Sequence, residues 1–203
     1  MKAVNRLVLA VSFMFASMAN ANVILSLDPT TQTSPGGELI SVTLRIDGLG
    51  NEVPLSLSAF DIDLKYDMSA LAFAGYNLFD DLGVVGPIGT LADAEDWSWG
   101  EFAPGFINIA EVSYLDTFDL WDFQPGGFAL AELFFTSIKP ATSAISIVYA
   151  DLTDAGGSPD PINVIGVNNA SIEVPAPAAL TLMGLALLTM FGRQKINATG
   201  FNK

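Results

Sequence analysis

From residue 59 to residue 66 polar and apolar side chains alternate without a break. Phe60, Ile62, Leu64 and Tyr66 fall on one face, and Asp61, Asp63 and Lys65 on the other. A period of two belongs to an extended strand with one face buried and one wet; a helix would scatter these residues around its circumference. Residues 41–47 repeat the pattern, with Val42, Leu44 and Ile46 together. Further strand candidates are 23–27, 71–76, 106–113, 128–136, 144–149 and 170–174, rich in β-branched and aromatic residues. Turn chemistry separates them: Ser34-Pro35-Gly36-Gly37, Gly48-Leu49-Gly50-Asn51, Gln124-Pro125-Gly126-Gly127 and Gly156-Gly157-Ser158-Pro159. About eight or nine short strands at this spacing predict an all-β fold, a single β-sandwich.

One segment departs from the strand pattern. Leu115, Phe118 and Trp121 recur every third residue, with Asp116, Asp119 and Asp122 between them. This predicts one or two helical turns capping the sandwich, with the three apolar residues buried and the acids wet.

Charge divides the chain into three parts. All 22 acids lie between Asp28 and Glu173, and residues 22–174 hold only Arg45, Lys65 and Lys139, a formal charge of −19. Both ends are apolar and basic. Lys2 and Arg6 precede an uncharged run from Leu7 that closes on Ala19-Asn20-Ala21. That is the secretory signal pattern, with small residues Ala19 and Ala21 at the expected cleavage site. At the other end, nineteen residues from Val174 to Gly192 carry no charge. As a helix they would span about 28 Å, near the ~30 Å of a hydrocarbon core. Arg193 and Lys195 follow, which places that end in the cytoplasm and the acidic middle outside.

The proline-flanked start, the short span and the basic cluster of this tail resemble the PEP-CTERM sorting segment of bacterial surface proteins. Val174-Pro175-Ala176-Pro177 corresponds to its Val-Pro-Glu-Pro motif, with Ala176 where glutamate is usual. The resemblance implies an exosortase-type sorting protease as partner, and attachment to the membrane through the C-terminal helix until processing. The expected organisation is a signal peptide (1–21), a β-sandwich (22–173), a sorting segment (174–195) and a short polar tail (196–203).

The strands carry a second resemblance. Pro35-Gly36-Gly37-Glu38, the segment Ala59-Phe60-Asp61-Ile62-Asp63-Leu64-Lys65-Tyr66-Asp67 followed by Leu71-Ala72-Phe73, and Gln124-Pro125-Gly126-Gly127 before Leu130-Ala131-Glu132-Leu133-Phe134-Phe135 are similar to cohesin modules. Those are jelly-roll sandwiches related to carbohydrate-binding modules, and the resemblance implies a fold of that kind.

Composition narrows the chemistry. With no cysteine and no histidine, the chain has no disulfide, no thiolate or imidazole metal site, and no Ser-His-Asp or Cys-His catalytic set. Its acidity argues against nucleic acid, whose phosphates require basic contacts. Three constellations remain. Asp61 and Asp63 share a strand face about 6.6 Å apart and, with Asp67, offer oxygen ligands for calcium. Trp97 and Trp99 would face the same way in an extended segment, beside Asp93, Glu95, Asp96 and Glu101. That is the make-up of a carbohydrate-stacking surface, and equally of two buried anchors for a long loop. Finally, a glycoside hydrolase needs only two carboxylates, although Glu111 and Glu132 sit in strand-like stretches without an accompanying motif. Together these features predict an exported, envelope-associated, non-enzymatic binding or scaffold protein. Its expected partners are surface polysaccharide or other envelope proteins, with a calcium-stabilised adhesion module or a carboxylate glycosidase as alternatives.

Overall fold

A computed structural model describes residues 23–49, 55–156 and 162–176. The signal-peptide expectation at Ala19 and Ala21 lies outside the described residues, as do Pro177, Arg193 and Lys195.

Among the described residues thirteen strands form two sheets. They are β1 (Val23–Asp28), β2 (Thr31–Thr33), β3 (Leu39–Asp47), β4 (Leu57–Tyr66), β5 (Leu71–Leu78), β6 (Val85–Gly86), β7 (Ala94–Asp96), β8 (Gly100–Ala103), β9 (Phe106–Ser113), β10 (Gly127–Ser137), β11 (Ala141–Asp154), β12 (Val164–Asn168) and β13 (Ala170–Val174). The smaller sheet has the order β12–β1–β3–β10–β5. The larger runs β2–β13–β11–β4–β9–β7–β6, with β8 also paired to β9. Pairing is antiparallel except at β1–β12, β13–β2 and β6–β7.

Each predicted strand is present. The count exceeds the expected eight or nine because of β2, β6, β7, β8 and β12; the first four have four residues or fewer, too short to show a period of two. β11 also runs beyond the predicted 144–149, as a long edge-to-edge partner of β4.

Alternation decides which faces meet. Phe60, Ile62, Leu64 and Tyr66 of β4, with Ile107 and Ile109 of β9, point inward against Leu25, Leu44, Ile46, Leu133 and Phe135. Phe135 stands edge-on to Tyr66 and Phe73, ring centres 5.4 and 5.8 Å apart. With no disulfide available, this interdigitated layer is what holds the sheets together.

The helical segment forms, but with a different face inward. Helix α1 spans Thr117–Phe123, and Asp116 caps it by accepting from the amides of Phe118 (2.8 Å) and Asp119 (3.0 Å). Leu120 is buried, whereas Phe118 is 69% exposed and Leu115 and Trp121 are only half-buried. The expectation that Leu115, Phe118 and Trp121 fill the core is therefore corrected. The inward stripe is 117, 120, 121 and 124, at helical spacing. It is polar at both ends: the Thr117 hydroxyl donates to the Ala155 carbonyl, and Gln124 both donates to and accepts from the Leu57 backbone.

At the C-terminal side Val174, which closes the 170–174 strand expectation and opens the sorting motif, is the last, buried residue of β13; Pro175 and Ala176 follow it on the surface. Among the described residues no helix is long and apolar enough to cross a membrane.

These assignments separate two substitutions. Leu64→Ala should lower unfolding free energy by about 3 kcal/mol through lost burial and a cavity. Phe118→Ala should change it by less than about 0.5 kcal/mol, as for other surface sites. Denaturant melts of the two variants check this; equal losses would restore Phe118 to the core.

Candidate functional site

The outward face of β4 is the floor of the site. Its neighbours in register are β9 on one side and β11 on the other, so Asp61 lies opposite Ala110 and Asp151, and Asp63 opposite Asn108 and Tyr149. Asn108 is nine-tenths buried. Its amide nitrogen donates to Asp61 (2.6 Å) and to Asp63 (2.9 Å), and its oxygen accepts from the Trp99 backbone amide (3.3 Å). One side chain thus fixes two carboxylates and ties them to the tryptophan segment.

That segment is an irregular edge over β9. β7 pairs normally, and Trp97 continues the pairing through its amide to the Ala110 carbonyl (2.9 Å). Ser98 then turns its hydroxyl back on Ala110, donating to the carbonyl and accepting from the amide. Gly100, at φ +64°, makes the bend into β8 that a side chain would strain. The aspartate and glutamate beside the tryptophans serve as structural acceptors. Glu95 takes the Trp97 indole, the Tyr114 hydroxyl and the Gly89 amide; Asp96 takes the Tyr76 hydroxyl and the Ser98 amide.

Trp97 and Trp99 consequently project outward, 46% and 77% exposed. They are not the buried loop anchors that their residue type favours. With Phe102 they form the wall of a groove of about 340 Å³ whose floor includes Asp61, Asp63, Asn108 and Asp151. The two constellations read separately in the sequence, the Asp61/Asp63 pair and the Trp97/Trp99 pair, are one site.

Among the described residues no base lines this groove. Asp61 and Asp151 face each other directly across two strands, a like-charge pairing that costs stability. The field is felt by Tyr149, whose phenol is held above its ordinary value chiefly by Asp151, then by burial, Asp61 and Asp63. Lys65, on the same face, rests over the Phe106 ring instead, 5.5 Å from its centre.

Asp67 does not join the pair. It lies about 13 Å along the chain beyond Asp63, four residues at ~3.3 Å each, and accepts from the Ser69 amide to close a turn. The Ser69 side chain first, and then this amide, hold its carboxyl below the usual range. Among the described residues no group of three or more acidic side chains is placed to hold a metal.

Glu111 lies beneath the site. It alternates with Ile107 and Ile109 on the core side of β9, is fully buried, and neither carboxylate oxygen has a partner. Burial first, then the charges of Asp96, Asp80 and Asp81, push its pKa up to about 8. Glu132 is half-buried on the other sheet, paired with Thr43 and Asn77.

Asn108, Tyr149 and Asp151 were not visible as site residues. Residues 106–113 read as an almost continuous apolar strand, and only the cross-strand register puts the amide of Asn108 between Asp61 and Asp63.

No family model matches the chain and no curated protein is detectably similar to it. Solved structures do resemble it. A cohesin from Clostridium acetobutylicum superposes with a TM-score of 0.57 at 19% identity, covering 77% of this chain and 92% of that one. The third cohesin of a scaffoldin from Acetivibrio cellulolyticus, solved with a dockerin, gives 0.54 at 16% identity over 76% and 99%. The cohesin module of a family 33 glycoside hydrolase from Clostridium perfringens gives 0.54 at 12% identity over 76% and 96%. At these identities the likeness establishes the fold: an all-β sandwich of cohesin type.

Asn108 supplies the test of the site's construction. Asn108→Ala should cost about 1 kcal/mol for the lost hydrogen bonds. Asn108→Asp should cost more, because it adds a third carboxylate, and about 1 M salt should recover part of that difference by screening. Denaturant melts at two salt concentrations read both effects; equal, salt-independent losses would show that Asn108 does not organise the two carboxylates.

Proposed function

We propose that this chain is an exported, non-enzymatic binding module of the cell envelope that docks another envelope protein in the groove of Trp97 and Trp99. The observation that carries this reading is an aromatic wall left exposed against a floor of carboxylates, on a rigid sheet. Exposed aromatic clusters of this kind mark interaction surfaces, and indole rings beside carboxylates suit a partner that brings apolar and basic side chains together. The cohesin fold supports a docking role, since one of the similar structures is a cohesin in complex with a dockerin.

The same tryptophans favour a second reading, surface polysaccharide stacked on the indoles. Hydrolysis has less support. The acid that keeps its proton at neutral pH, Glu111, is sealed between the sheets, out of reach of a glycosidic oxygen, and a general acid must touch its substrate.

Export follows from the signal pattern at 1–21. Val174, Pro175, Ala176, Pro177, Arg193 and Lys195 would present the chain to an exosortase-type protease; here Val174 would keep its place in β13 and the motif would begin at the sandwich surface.

A photo-crosslinking phenylalanine analogue at position 99, in cells that export the chain, tests the docking role; the control carries it at position 132 on the other sheet. A protein adduct from 99 alone is expected. A glycan adduct from 99 supports the polysaccharide reading instead, and adducts from neither position, or equally from both, contradict a groove-centred function. Intact mass of envelope-associated chain ending near Pro177 would accompany tail processing; a mass retaining Lys203 would exclude it.

A further inference from the structure

Glu111 and the tryptophan wall are two sides of one strand pair. Across β7–β9 Glu111 stands directly opposite Asp96, so both carboxyls lie on the core side of that edge. Asp96 clasps the wall: it accepts from the Ser98 amide (2.9 Å), inside the Trp97–Trp99 turn, and from the Tyr76 hydroxyl (2.8 Å) on the other sheet. The amide of Trp97 bonds to Ala110, the residue before Glu111.

The surroundings of Glu111 are one-sided. From β7 it faces Asp96, and from the 3-10 turn Asp80–Leu82 it feels Asp80 and Asp81. On β4 its partner in register is the apolar Phe60. On its own strand the Ser113 hydroxyl is committed to the Leu82 carbonyl. Arg45 offsets Asp81, which it draws back toward its charged form. A buried carboxyl with two unpartnered oxygens and acidic neighbours is tolerable only while it carries its proton.

We propose that Glu111 is a proton-operated latch on the groove. As the neutral acid it leaves Asp96 free to pin the Trp97–Trp99 segment onto β9. When its proton passes to bulk solvent, a second negative charge appears opposite Asp96, and the segment loosens from the sheet edge. This inference rests on the groove being the docking surface, whose regulation it describes.

The chain is suited to such a switch. It has no histidine or cysteine, and all four tyrosines are held above their ordinary value of 10, Tyr66 at about 12. Between pH 6 and 9 Glu111 is therefore the side chain on this edge whose charge changes. Because the closed latch raises its value, the stability that its proton lends the closed segment over the opened one is complete below the ordinary value of 4.5. It is lost progressively as pH climbs to about 8, and the loss levels off above that value.

Residue-resolved hydrogen exchange on the full chain, wild type against Glu111→Gln at each pH, reads this without any partner. The wild-type-to-variant ratio at the Trp97 amide should climb between pH 6 and 8, by at most about tenfold per pH unit for one linked proton, and flatten above about 8. Amides of the β1–β3 pair should not share the rise. Asp96→Asn should make the ratio flatten at lower pH, because a negative neighbour of Glu111 is gone. A flat ratio at Trp97, an equal rise in β1–β3 (global destabilisation), or loss of the rise on adding calcium (a cation seat) would each overturn the latch. None of these results bears on whether position 99 crosslinks to a protein, so the latch and the docking role can fail separately.

Discussion

The structure depends on β4 having two incompatible faces. On one side Phe60, Ile62, Leu64 and Tyr66 are pressed into the other sheet and exclude water. On the other, Asp61 and Asp63 stand at the spacing that the pleat imposes and are held there by Asn108. Because a strand's side chains alternate strictly, a one-residue slip would bury both aspartates and expose the core residues. The same hydrophobic pressure that stabilises the sandwich therefore sets the geometry of the groove floor.

The wall obeys weaker rules. The edge from β7 to β8 is held by short runs of ladder hydrogen bonds and by carboxylate acceptors, Glu95 and Asp96, in place of apolar packing. Elements of this kind open at lower cost than core strands. The larger sheet thus combines a fixed acidic floor with an aromatic wall whose attachment depends on charge, which is a workable division of labour for a binding surface. It also accounts for a feature that composition leaves puzzling: a domain with 22 acids and few bases places like charges opposite one another beside an exposed aromatic surface, where a partner's cations would relieve them.

Much of this fold was legible in advance, and the physical reasons are specific. Period-two alternation at 41–47 and 59–66 identified β3 and β4 because each buries one face and wets the other. β12 is not legible, since five residues with Ile165 and Val167 exposed show no inward face. The inward face of helix α1 is not legible either, because its stripe begins with Thr117 and ends with Gln124, which an apolar repeat does not reveal. At the site, residue types were readable but not their assembly. Trp97, Trp99, Asp61 and Asp63 drew attention separately; what joins them is the Ser98–Gly100 irregularity and the β4–β9–β11 register. Asp67, adjacent in sequence, is excluded by the end of the strand. The signal and sorting patterns were readable as composition, and apart from Val174, Pro175 and Ala176 they lie outside the described residues.

On the proposed reading the groove face, and not the aromatic end near α1, meets a partner in the envelope. Hydroxyl-radical footprinting of the chain on intact cells, compared with the same chain purified, measures this directly. Trp97, Trp99 and Phe102 should be oxidised readily in the purified protein and protected on the cell, while Phe118 and Phe123 react equally in both. Equal oxidation of Trp99 in the two states, or protection confined to Phe118 and Phe123, would contradict the account.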